Sequence, residues 1–112
     1  MKIWHNNRCS KSRCAVEILN ENKVKFEEYK YLDNPPNASD IKDVLSKLGM
    51  KASELIRKGE PAFKENFKGK ELSEKEWIEA TVKFPKLIER PIVINGNRAV
   101  IGRPLENIKN IL

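Results

Sequence analysis

One loop near the N-terminus combines a cysteine with several cationic residues. Cys9 follows a short apolar run that ends at Trp4, and it precedes an amphipathic helix pattern. A helix N-terminus and nearby positive charge both lower the pKa of a thiol, so this position favours a reactive thiolate. The first N–H groups of a helix also bind anions, because they have no partner within the helix. The loop therefore predicts a cysteine nucleophile beside an anion site.

The polar residues around Cys9 have more than one possible role. His5, the only histidine, either ends a strand or acts on the loop, by orienting it through hydrogen bonds or by favouring the thiolate electrostatically. Ser12 is an N-cap of the helix, a hydroxyl donor to the Cys9 sulfur, or both. Arg13 adds positive charge that would lower the pKa of Cys9. We expect these three residues to support the thiolate.

The second cysteine, Cys14, is open to two interpretations. It shares a helix face with Ile18, which favours a small buried core residue. Alternatively it is a resolving thiol for Cys9. Residues five apart in a continuous helix point about 140° away from each other, so a disulfide would require Cys9 to lie off the helix or the helix to unwind locally. Two cysteines and one histidine are too few for a closed zinc site, so we predict no metal.

Hydrophobic periodicity predicts the element order β-α-β, a helical insert, and then β-β-α. This order is typical of an α/β chain with a thioredoxin-like fold, in which a small mixed four-stranded sheet is flanked by helices and carries a helical insertion. A parallel βαβ unit places its functional loop after the strand, where Cys9 falls. With 112 residues we expect a single domain over residues 1–112, with the insert at about 38–84.

Caps, turns and breakers predict the boundaries of the individual elements. The expected elements are a strand ending at Trp4, a helix over 12–22, a strand over 24–32, a helix capped by Ser39 and stopped by Gly49, a short helix over 52–58, a helix capped by Ser73 and ended by Pro85, hairpin strands over 91–94 and 98–101, and a last helix with Leu105, Ile108 and Leu112 on one face.

Three separated arginines are candidates for binding an oxyanion, although each could be a surface charge. They are Arg57, Arg90 and Arg103. In thioredoxin-like folds the strand that faces the catalytic cysteine begins at a cis-proline, which makes Pro91 the cis-proline candidate and would hold Arg90 close to Cys9. Guanidinium groups suit tetrahedral oxyanions because they donate several hydrogen bonds from a planar fork.

Five segments of the chain resemble a known family, the glutaredoxin-coupled arsenate reductases of the ArsC/Spx superfamily. The resemblance covers nearly the whole chain. The matching segments are His5-Asn6-x-x-Cys9-x-x-Ser12-Arg13, Tyr31-Leu32-x-Asn34-Pro35-Pro36, Leu55-Ile56-Arg57-Lys58, Ile88-Glu89-Arg90-Pro91-Ile92-Val93 and Gly102-Arg103-Pro104.

The resemblance implies an arsenate reductase. In this family the cysteine that matches Cys9 attacks arsenate, and arsenite is released after reduction by glutathione with the help of glutaredoxin. It implies that Arg57, Arg90 and Arg103 stabilise the oxyanion, and that glutathione is a co-substrate with no bound cofactor. Asn7 stands where the family often has proline, which should alter the stiffness of the loop more than its chemistry.

Two other functions use the same fold. A redox-responsive transcription regulator like the Spx proteins typically carries Cys-x-x-Cys, but Ser12 occupies the second position here. The switch disulfide is therefore missing unless Cys14 replaces it. A thiol oxidoreductase without arsenate activity is the other alternative.

Charge and hydropathy limit the partners. The chain has 22 basic and 16 acidic residues and a net charge of +6, but the basic residues are scattered rather than clustered. Scattered lysines usually form a solvated surface, and a small anionic substrate suits this charge at least as well as nucleic acid, so we expect no nucleic-acid partner. No apolar run is long enough for a membrane span and no secretory pattern is present, so we expect a cytoplasmic location. We also expect a monomer.

Overall fold

The computed structural model describes all 112 residues, which form two compact units. The first unit contains residues 1–34 and 90–112, and the second contains residues 35–89. The second unit therefore includes the whole range predicted for the helical insert. None of the helices combines the length and the apolar composition that a membrane span requires.

A mixed four-stranded sheet forms the centre of the first unit. Its strand order is β2-β1-β3-β4; β1 is parallel to β2 and antiparallel to β3, and β3 is antiparallel to β4. This sheet confirms the predicted thioredoxin-like α/β fold. Gly96 takes a φ of 62° in the turn between β3 and β4, a conformation that glycine adopts without strain. The strands are β1 (Lys2–Trp4), β2 (Glu27–Tyr29), β3 (Ile92–Asn95) and β4 (Arg98–Ile101).

Helix α1 (Ser10–Glu21) and a C-terminal 3-10 helix (Leu105–Asn110) cover one face of this sheet. Ile3 and Val93 are partners in the register of β1 and β3. They form a buried cluster with four residues of the covering segments, Ala15, Leu19, Ile108 and Ile111. This cluster fixes the direction in which α1 leaves the strand.

The last helix differs from the prediction. Leu112 is 43% exposed, whereas Ile111 is 1% exposed and lies in the core. A 3-10 helix has about three residues per turn, so Leu105, Ile108 and Ile111 follow one line, which an α-helical spacing does not predict. The placement of Leu112 on the core face was wrong for this reason.

The second unit is helical, and one of its helices was missed by the sequence analysis. Helix α4 falls between the predicted helix over 52–58 and the predicted helix capped by Ser73, where no element was expected. It forms there because Pro61 stands at the first helical position, where proline is well tolerated. The helices are α2 (Ala38–Leu48), α3 (Ala52–Leu55), α4 (Pro61–Asn66) and α5 (Glu74–Lys83), with a 3-10 turn at Pro85–Leu87.

Capping residues explain where α2 and α5 begin. Ser73 forms the predicted capping box with Glu76 at the start of α5. Helix α2 begins two residues earlier than predicted, because Asn37 rather than Ser39 is the N-cap and accepts the N–H of Asp40. Strand β2 is also shorter than the predicted strand over 24–32, and α3 is shorter than the predicted helix over 52–58.

Candidate active site

Cys9 is the residue that links the sheet to helix α1. It is the N-cap of α1, in an extended conformation with φ −96° and ψ 121°, and its side chain is 8% exposed. The helix begins at Ser10, two residues before the predicted start, so Cys9 rather than Ser12 takes the cap position. The sulfur is therefore at the positive end of a 12-residue helix.

Arg103 contacts this sulfur from the C-terminal segment. One terminal nitrogen of its guanidinium lies 3.7 Å from Cys9 Sγ, within hydrogen-bonding range for sulfur. Its Nε donates to the backbone carbonyl of Arg90 at 2.6 Å. The two prolines that follow these arginines, Pro91 and Pro104, are both in cis peptide bonds. Arg103 thus connects the cysteine loop to the segment that precedes β3.

Gly102 allows this segment to approach Pro91 closely. The N–H of Gly102 donates to the carbonyl of Pro91 at 2.8 Å. A Cβ on Gly102 would lie 3.0 Å from Pro91 Cγ and 3.2 Å from Ile108 Cδ1, closer than such atoms normally pack. The absence of a side chain at Gly102 therefore sets the backbone position of Arg103, a role that the sequence analysis did not assign.

Burial and charge act in opposite directions on Cys9. Desolvation acts to raise the pKa of the Cys9 thiol, but a hydrogen bond from Arg90, the N–H groups of Ser12 and Lys11, and the charge of Arg90 outweigh it. The pKa of Cys9 therefore lies below its ordinary value. Arg90 and the first N–H groups of the helix thus favour the thiolate.

Arg90 itself is held between Cys9 and a tyrosine. Burial acts to lower the pKa of Arg90, but interactions with Cys9 and Tyr31 outweigh it and raise the pKa. Its Nε is buried and has no hydrogen-bond partner. Tyr31, which is fully buried and stacks on Trp4, was not among the predicted site residues. Its sequence signal was its place at the head of one of the five segments that resemble the family.

His5 and Ser12 hold the loop that leads to Cys9. His5 Nδ1 lies 2.6 Å from Ser12 Oγ, both side chains are buried, and Ser12 Oγ also accepts the N–H of Asn6 at 3.0 Å. Desolvation lowers the pKa of His5, which favours the neutral form of the ring. A neutral ring orients the loop through hydrogen bonding. Of the two ways in which His5 was expected to act on this loop, the geometry favours orientation over electrostatics.

The other predicted site residues occupy different positions. The guanidinium of Arg13 donates to the carbonyl of Asn7 at 3.0 Å, so the Arg13 side chain supports the backbone of the loop that precedes Cys9. Cys14 is partly exposed rather than buried, and both cysteines are free. Arg57 belongs to the second unit, where it forms an ion pair with Glu60 at 2.9 Å.

The chain is similar to proteins of known sequence and structure over its full length. It is 46% identical to an uncharacterized protein of Escherichia coli, YfgD, and 41% identical to an arsenate reductase of Neisseria meningitidis. Both alignments cover 100% of this chain and at least 96% of the relative. The solved structure of an arsenate reductase from Vibrio cholerae superposes with a TM-score of 0.94 at 35% identity, covering 100% of this chain and 98% of that one.

The sequence model of the ArsC family matches residues 4–111, which include both cysteines and all three candidate arginines. The match leaves out only the first three residues and the last one. Together with the relatives, it shows that this chain belongs to the ArsC family.

Proposed function

We propose that this protein is an arsenate reductase in which Cys9 is the nucleophile. The observation that carries the proposal is the contact of a low-pKa cysteine with the guanidinium of Arg103, beside a buried Arg90 Nε that has no partner. An unpaired buried donor is costly, and an anion that accepts from it would remove that cost. The name of the Neisseria relative supports arsenate as the anion.

In the first step the Cys9 thiolate attacks arsenic(V). An arsenic–sulfur bond forms and one arsenate oxygen leaves as water after protonation. Arg90 and Arg103 donate to the arsenate oxygens, whose negative charge grows as the sulfur approaches. The helix N-terminus at Ser10 favours the same charge. We also propose that Arg57 binds the oxyanion, and this part of the proposal rests only on the resemblance of the chain to the family.

In the second step an external thiol reduces the adduct. Its sulfur attacks the Cys9 sulfur, and the electron pair of the arsenic–sulfur bond passes to arsenic with a proton. Arsenic(V) becomes arsenic(III) and leaves as arsenite, while Cys9 is left in a mixed disulfide. A second thiol then restores Cys9 by thiol–disulfide exchange. We propose glutathione as the first thiol and glutaredoxin as the protein that restores Cys9, in the cytoplasm and with this protein acting as a monomer.

The test is arsenite production from arsenate by the purified protein with glutathione and glutaredoxin. Cys9→Ser should abolish turnover while circular dichroism shows an unchanged fold. Cys14→Ser is the matched cysteine control and should keep most of the turnover, because the proposed resolving thiol is external. Turnover that survives in Cys9→Ser would refute the nucleophile. Loss of turnover in Cys14→Ser would assign resolution to Cys14 instead.

A further inference from the structure

The side chain of Asn107 binds the backbone on both sides of Gly102. Asn107 lies in the C-terminal 3-10 helix, and its amide nitrogen donates to the carbonyl of Ile101 at 3.1 Å and to the carbonyl of Arg103 at 3.3 Å. Both neighbours are acceptors, so the NH2 end of the amide, which has two hydrogens, is the end that fits there. One side chain therefore holds the backbone before and after Gly102.

The first of these bonds completes the pairing of one peptide group. The N–H of Gly102 points toward β3 and donates to the carbonyl of Pro91 at 2.8 Å. The peptide between Ile101 and Gly102 is trans, so the Ile101 carbonyl points the opposite way, away from β3. Because β4 is the last strand of the sheet, no strand can satisfy this carbonyl, and Asn107 does so instead. The peptide group is thus held from both sides.

The second bond acts on the residue that contacts the active-site sulfur. The guanidinium of Arg103 reaches the carbonyl of Arg90 and the sulfur of Cys9 through a long side chain, so its position depends on where the Arg103 backbone lies. Asn107 binds the carbonyl of Arg103, and its own N–H donates to the carbonyl of Pro104 at 3.0 Å, which anchors it. Asn107 makes no hydrogen bond to Cys9, so an effect on the sulfur must pass through Arg103.

We propose that Asn107 is a positioning residue for the anion site: by binding the carbonyls on both sides of Gly102, it sets the backbone from which Arg103 reaches Cys9. The inference deepens the proposed function, on which it rests, because Arg103 is proposed to stabilise the arsenate oxygens. The hydrogen bonds of Asn107 do not depend on which anion binds there, so its role can be tested with another anion.

Alkylation of Cys9 tests this role without arsenate. The thiolate sulfur displaces iodide from iodoacetate, which carries a carboxylate, or from iodoacetamide, which is uncharged, and a carbon–sulfur bond forms. The ratio of the two rate constants measures how strongly the cations near the sulfur favour an anion, and the thiolate fraction cancels from it. The parent protein for all variants is Cys14→Ser, in which Cys9 is the only cysteine.

The expected changes in this ratio follow the path from Asn107 to the sulfur. Arg103→Gln should lower the iodoacetate-to-iodoacetamide ratio by about three- to fivefold, the size expected for one exposed charge pair. Asn107→Leu, which keeps a similar volume but donates no hydrogen bond, should lower it by about two- to threefold, and Asn107→Ala should do the same. Asn110→Leu, at an exposed position three residues later in the same 3-10 helix, is the matched control and should leave the ratio unchanged.

The double variant separates positioning from a general effect on the fold. If Asn107 acts through Arg103, Asn107→Leu should lower the ratio no further once Arg103→Gln is present, whereas two independent effects would multiply. The kcat/KM for arsenate should follow the same pattern in the four proteins of this cycle.

Three results would overturn the proposal. An unchanged ratio in both Asn107→Leu and Asn107→Ala would show that Arg103 keeps its place without the asparagine. A further loss in the double variant would show that Asn107 acts by another route. An equal loss in Asn110→Leu would assign the effect to the surface of the 3-10 helix. If the ratios change as expected in a protein that reduces no arsenate, the proposed function fails and the role of Asn107 stands.

Discussion

In the first unit the guanidinium of Arg103 contacts a cysteine sulfur, whereas in the second unit the guanidinium of Arg57 is paired with the carboxylate of Glu60. Arg90, like Arg103, forms no ion pair with a carboxylate. An arginine without a carboxylate partner keeps donors for an incoming anion, but an anion at Arg57 must displace Glu60 or share the guanidinium with it. The sequence offered these arginines as equal candidates for binding an oxyanion, but in the structure they differ in how many donors they have free for one.

The backbone around these arginines differs in the same way. The side chain of Arg57 is held by a local contact with Glu60, three residues later, and its N–H donates to Leu87 O at 2.6 Å. The side chain of Arg103 is held by contacts with Arg90 and Cys9, which lie 13 and 94 residues away in the sequence. The side-chain contact of Arg57 stabilises a turn, whereas the contacts of Arg103 bring a cation to the sulfur of Cys9.

Replacing Arg90 should produce the largest effect. Arg90→Gln removes the charge and a donor that favour the Cys9 thiolate, so the midpoint of Cys9 alkylation against pH should rise. Arsenate turnover should fall by about 10²-fold, the usual cost of one oxyanion donor. Arg98→Gln, at an exposed position in β4, is the matched control and should leave both quantities unchanged. An unchanged alkylation midpoint in Arg90→Gln would remove Arg90 from the site.

A methyl group on Gly102 should disturb the position of Arg103. Gly102→Ala places a Cβ 3.0 Å from Pro91 Cγ, and overpacking of this kind costs about 1–3 kcal/mol of unfolding free energy. Urea unfolding measures this loss, and arsenate turnover should fall with it. Gly59→Ala is the control, because a Cβ there meets no atom within 4 Å and should be neutral or slightly stabilising. Equal stability of the two variants would contradict the close approach.

The stability of the first unit should depend on the protonation of His5. Burial lowers the pKa of His5 in the folded protein, so below about pH 6.5 the unfolded chain binds more protons and the free energy of unfolding decreases as the pH falls. One histidine contributes at most about 1.4 kcal/mol per pH unit. Above pH 6.5 this contribution is constant.

The His5 effect is isolated by comparison with His5→Gln, because many carboxylates also titrate in acid. The wild-type protein should lose stability more steeply than His5→Gln between about pH 6.5 and 5, as measured by urea unfolding at fixed salt. Parallel curves would show that His5 is not held neutral by the fold.

Breaking the pair of Arg57 and Glu60 should have the smallest effect. Both side chains are about one-fifth exposed, and such pairs contribute up to about 1 kcal/mol, so Glu60→Gln should reduce the unfolding free energy by less than that. Asp43→Asn, which breaks the more exposed pair with Lys47, is the matched control. A loss of several kcal/mol in Glu60→Gln would mean that Arg57 is a fixed structural charge rather than an available one.

The features predicted correctly from the sequence depend on neighbours within a few residues. The hairpin around Gly96, the capping box at Ser73 and the strand–loop–helix junction at Cys9 all follow from local backbone preferences and local hydrogen bonds. Such local preferences persist in the folded chain unless tertiary packing strongly favours another conformation. Local sequence therefore accounts for most of the element order, for the fold class and for the place of Cys9 at the start of the first helix.

The tertiary structure decided how these parts meet. The contact of Arg103 with Cys9 spans 94 residues, so it depends on the sheet register and on the close approach that Gly102 permits. The burial of Cys9 and the choice of Ile111 over Leu112 for the core depend on packing against other segments. No local preference encodes such contacts, because their energy comes from groups that only the folded chain brings together.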